Sequence, residues 1–186
     1  PEGPTVCGLL FAGKRGQLPL YGVDTAGVAD RPLNPYLLGG ATAGGAGEEL
    51  DALRSPMDRG AGALPLPLPE FAAVESMYEL MGTSYVLNDH DLNGPAYPTL
   101  IPAGGGAVPP VTEPSLTWMI GSQTIYDFDQ DIDRQERWYG GVDQRATLLF
   151  VDAHARLLRR VPDALCAVEN TTAAYTFLLT PGRVTR

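Results

Sequence analysis

Apolar residues recur at three-to-four spacing over one stretch of the chain, Glu70 to Met81. There Phe71, Val74, Met77 or Tyr78, and Met81 fall on one face and predict a helix, with Gly82 at a C′-like stop. The other apolar runs are short and rich in β-branched and aromatic residues. Thr83 to Leu87, Leu116 to Ile120, Ala146 to Val151, Ala155 to Val161 and Ala174 to Leu179 read as strands. Asp152-Ala153-His154 separates the third of these from the fourth, so the pair predicts an antiparallel hairpin. Arg31 to Leu38 predicts one or two helical turns stopped by Gly39-Gly40, and Gly13 to Gly16 predicts a turn. Leu64 to Pro69 alternates Leu with Pro and predicts extended polyproline-like backbone lying along its own domain. Residues 41–47 and Gly94 to Pro114 read as loops, and there is no internal repeat. The pattern predicts an α+β fold, one helix with an antiparallel β-sheet and long Gly/Pro-rich loops, in a single domain over residues 1–186.

Composition agrees with that picture. The chain has 44% apolar residues, enough for one core, together with 22 Gly and 17 Pro, which weaken or break long helices. Its net charge of -9 has the wrong sign for a phosphate backbone, and the cations gather only at Arg156, Arg159 and Arg160, so no nucleic-acid partner is expected. No run reaches the roughly 18–20 apolar residues of a membrane helix. Cys7 and Cys166 lie near opposite ends. A bridge between them would contribute on the order of 4–5 kcal/mol through its long loop; two buried thiols are the alternative. Neither sits in a zinc-type pair.

Several segments, in order, resemble the prepilin-like proteins related to type II secretion pseudopilins. The stretch Arg145 to Arg156 is similar to a family hairpin whose turn reads Asp-Gly-His, with a His separated from the Asp by nine intervening residues. Here the turn is Asp152-Ala153-His154, with Ala153 in the place of Gly and Val142 in the place of the upstream His. Arg15 to Gly22, Arg31 to Leu37, Gly82 to Asn88 and Glu113 to Gly121 also resemble family segments. So does Leu53 to Gly60, in which Ser55 replaces the usual Cys. The resemblance implies a pilin-like head, with a short N-terminal helical remnant of a spine leaning on the sheet. The family's hydrophobic helix and its leader-peptidase site are not in this chain, and their removal is the expectation.

Two Asp-rich stretches are candidate Ca²⁺ sites. Asp127, Asp129, Asp131 and Asp133 stand at alternate positions, and in a loop they could converge on a hard cation that takes six to eight oxygens. The resembled heads often hold Ca²⁺ late in the chain. The other reading is a solvated acidic loop balanced by Arg134 and Arg137. Asp89, Asp91 and Asn93 imitate the first half of an EF-hand, but Leu100 stands where the bidentate Glu belongs and Pro95 follows Gly94, so a non-EF loop or a polar turn remains.

Catalytic signatures are weak. His90 and His154 with Asp89, Asp91 and Asp152 supply too few imidazoles for a typical metallohydrolase, and His154 reads as a turn residue. No Gly-x-Ser-x-Gly is present, and Gly104-Gly105-Gly106 lacks the Lys-Ser/Thr of a phosphate loop. The expectation is a non-enzymatic structural subunit of a type II secretion or type IV pilus-like filament, periplasmic or extracellular. Its partners would be other pilin-like subunits, and its membrane contact only the helix absent here. Two alternatives stand beside it. One is a secreted calcium-stabilised module binding glycan or peptide through Trp118, Trp138, Tyr126 and Tyr139; the other is a metal-dependent hydrolase.

Overall fold

The computed structural model describes residues 8–38, 49–62, 67–88, 100, 110–127, 137–138, 146–158 and 174–180. Among the described residues two short helices, α1 (Asn34–Leu37) and α2 (Met77–Met81), accompany seven strands. These are β1 (Ala61–Gly62), β2 (Ala73–Val74), β3 (Tyr85–Leu87), β4 (Trp118–Ser122), β5 (Arg137–Trp138), β6 (Ala146–Phe150) and β7 (Ala155–Leu158). They form two antiparallel sheets, a small one ordered β2-β1-β5 and a larger one ordered β3-β4-β6-β7. The class is α+β.

The larger sheet follows from alternation. Along β6, Ala146, Leu148 and Phe150 are buried while Thr147 is exposed, as a half-buried strand requires. The register sets Val86 against Gly121 and Gly121 against Leu148, so residues of one parity share a face across three strands. That face builds the first core, with Val86, Trp118, Ala146, Leu148 and Phe150 meeting Tyr175 and Phe177. On the other face Tyr85, Leu87 and Ile120 pack against a second core of Phe11, Ala12, Val28, Leu50, Leu53 and Tyr78. A third cluster centres on Leu18, Val23, Met77 and Leu80.

The hairpin arises as expected, with β7 beginning at Ala155 and Leu148 paired with Arg156. The first and second predicted strands also form, the second shifted towards its C-terminal end as Trp118–Ser122. Arg31 to Leu38 delivers a single turn, α1.

Three expectations are corrected. The helix predicted over Glu70 to Met81 breaks into a 3-10 turn at Pro69–Phe71, the strand β2, and α2 alone. Val74 pairs with Ala61, and Ser76 is extended (φ -153°) because it acts as the N-cap of α2, its side chain accepting from the Glu79 N–H. The helical spacing of Phe71 and Val74 places them against the third cluster without helical backbone. The strand predicted over Ala174 to Leu179 is instead an irregular strap with bends at Ala174, Phe177 and Leu179 and one parallel bridge, Thr117 to Thr176. Backbone and side chains share in holding it: the Thr176 N–H donates to the Leu116 carbonyl at 2.8 Å and the Thr112 N–H to that of Leu179 at 2.9 Å, while Asn88 Nδ2 donates to the Phe177 carbonyl at 2.9 Å and Thr117 Oγ1 to that of Leu178 at 3.1 Å. Where a helical remnant was expected near the N-terminus, the described residues hold a three-residue 3-10 turn, Gly8–Leu10. Half of the stretch expected to be polyproline-like, Leu64 to Leu66, lies outside the described residues; Leu68 is extended and Pro69 opens the 3-10 turn. Cys7 and Cys166 lie outside them.

Gly13 and Gly82 bring two segments into backbone contact. The Lys14 N–H donates to the Gly82 carbonyl at 3.0 Å, and both glycines have positive φ (122° and 81°). A Cβ on Gly13 would lie 2.2 Å from the Gly82 oxygen, and one on Gly82 2.0 Å from that of Lys14. Only glycine fits at either place.

Candidate functional site

The β6–β7 turn is the most sharply defined feature among the sequence candidates. The Ala153 N–H donates to the Phe150 carbonyl at 2.9 Å, and the Phe150 N–H donates to that of His154 at 2.9 Å. Ala153 adopts φ 68°, the left-handed conformation that closes a three-residue hairpin loop. His154 lies flat on Phe150, ring centroids 4.2 Å apart and planes 3° from parallel, and its Nδ1 pairs with Asp152 Oδ1. That hydrogen bond is the main cause holding the Asp152 carboxyl below its ordinary value. The turn is also tied to the chain before β4, where the Val151 and Asp152 N–H groups donate to the carbonyls of Thr117 and Pro114. Among the described residues no group of three or more His, Cys, Asp or Glu could hold a metal ion.

A second constellation is polar and runs from the fully buried Arg31 and Asn34 through the half-buried Asp58 to the exposed Glu49. The Asp58 carboxylate accepts from the Met77 N–H (2.9 Å), the Tyr78 N–H (2.8 Å), the Gly60 N–H (2.9 Å) and the Ser84 hydroxyl (2.7 Å). It thereby satisfies the first free N–H groups of α2 and joins them to the residue before β3. Arg31, fully buried, donates through Nη1 to the carbonyls of Leu9 and Ala12 and through Nη2 to that of Met81 at the other end of α2. Asn34, equally buried, holds both the N–H and the carbonyl of Gly13 and the carbonyl of Val28. Lys14 lies over the Tyr78 ring and donates to Glu49 and Glu79 at 2.7 and 2.8 Å. Burial pulls its pKa down, but the two hydrogen bonds outweigh that, and the net shift is upward. Glu49 is held below its ordinary value chiefly by the hydrogen bond from Lys14.

None of these residues stood out as functional in the sequence. The nearest signal was Ser76-x-x-Glu79, a capping-box spacing that marks the true start of α2. Asp58 lies 19 residues before Met77, and no local pattern links them.

The candidate metal ligands are not brought together by the described residues. Asp127 ends a 3-10 turn, Gln123–Asp127, while Asp129, Asp131, Asp133, Asp89, Asp91 and Asn93 lie outside the described residues, as does His90. Trp118 is fully buried and meets Phe177 edge-on at 5.1 Å, so it belongs to the core and offers no surface to a glycan. Trp138 is in β5, Tyr126 is in the turn after β4, and Tyr139 lies outside the described residues. An open cavity of about 180 Å³ lies between Leu37–Leu38 and Glu49–Leu53, with a mainly aliphatic lining and the carboxylates of Glu49 and Asp51. Among the described residues its lining contains no Ser, Thr, Cys or His. Among the described residues no helix is long and apolar enough to cross a membrane. No family model, curated protein or solved structure matches the chain.

Proposed function

We propose that the chain is the head of a pilin-like structural subunit, related to type II secretion pseudopilins, that works by assembly and not by turnover. The observation that carries this is the left-handed Ala153 in the turn Asp152-Ala153-His154. The resembled hairpin has Gly at that place, and a left-handed residue is what a Gly there would serve. Two further features support the reading. Other resembling segments supply the buried polar residues Arg31, Asn34 and Asn88 and the half-buried Asp58, and the hairpin packs into an antiparallel sheet. In this reading the subunit is exported and its partners are further pilin-like subunits.

The experiment is to read the coding sequence upstream of Pro1 and to follow export of the whole product. A Gly-Phe-x-x-x-Glu-type processing site followed by about twenty apolar residues is expected. A start codon placed directly before Pro1 overturns the proposal. Ca²⁺ at Asp127, Asp129, Asp131 and Asp133 accompanies it, because alternating carboxylates supply the oxygen ligands such a cation takes. A chelator is expected to lower the melting temperature of the purified head and added Ca²⁺ to restore it; identical melts remove the metal from the proposal.

A further inference from the structure

We draw no further inference here: the strongest candidate, the outward strip of Leu149, Ala155 and the exposed Leu157 on the β6–β7 hairpin, is an apolar face on which nothing in the structure shows what covers it.

Discussion

The two sides of the larger sheet are held by different physics. On the first, β3, β4 and β6 present Val86, Trp118, Leu148 and Phe150 to the strap, and the backbone groups pair mainly strand to strand. On the second, residues 8–38, 49–62 and 67–82 contain few ladder bonds. There the buried backbone groups are satisfied by Arg31, Asn34 and Asp58, each of which binds chain segments distant in sequence. A buried N–H or carbonyl must find some partner. Where regular structure is scarce, long polar side chains take over that duty, so this layer depends on individual residues in a way the ladder does not.

The contrast can be broken by mutation. Trp118→Ala removes the largest side chain of the first core and is expected to cost about 4 kcal/mol, read as a lower urea midpoint with an unchanged slope. A loss below about 1 kcal/mol would mean that the strap and sheet are not packed as described. Asp58→Ala should cost about 3 kcal/mol, because it uncaps α2 and strips the Ser84 hydroxyl and Gly60 N–H of their acceptor. Native-state hydrogen exchange should then rise at Met77 and Tyr78 more than along β6. Uniform acceleration over both regions would erase the distinction between the two sides.

Two smaller effects sharpen it. Ala153→Gly relieves a left-handed alanine at the cost of a more flexible unfolded chain, for a net gain of up to about 1 kcal/mol. Destabilisation would show that the turn does not hold the positive φ. The last effect concerns pH. Glu49, with its lowered pKa, contributes stability that is complete above its ordinary 4.5 and is lost as the pH falls through the lowered value. Lys14, with its raised pKa, contributes stability that is complete below 10.5 and is lost as the pH climbs through the raised value. Glu49 is largely exposed, so solvent screening keeps its share under about 1 kcal/mol. Glu49→Gln is expected to flatten the acid limb of a stability-against-pH curve; an unaltered limb would assign that limb to other carboxylates.

What the sequence revealed divides along the same line. Ala146 to Phe150 and the turn after it were legible because alternation and turn chemistry act over a few residues. α2 was located but overextended, since apolar spacing alone does not report that Val74 pairs with Ala61 or that Ser76 is a cap. The strap was read as a strand from its composition, but its partners lie far away in sequence: the backbone of Thr112, Leu116 and Trp118, and the side chains of Asn88 and Thr117, 89 and 61 positions away in their two bonds. Asp58 shows the same difficulty from the polar side: an acidic residue in a turn-rich stretch looks solvated until the helix it caps is placed. Of the candidate chemistry, the structural role of His154 was visible in the turn; the grouping of the Asp-rich stretches depends on residues outside those described.

The strap has a consequence for how the molecule is made. Tyr175 and Phe177 complete a core whose other buried members begin at Val86, so a chain leaving the ribosome displays the apolar face of β3 until nearly ninety further residues have emerged, and that of β6 for a much shorter stretch, from Phe150 to Tyr175. The β6–β7 hairpin can close at once, because its ends meet across a short turn, whereas strap docking must wait and carries the larger entropy of a distant closure. Nascent chains should therefore be most prone to capture by chaperones, and to association with one another, in the interval between synthesis of the hairpin and arrival of the strap.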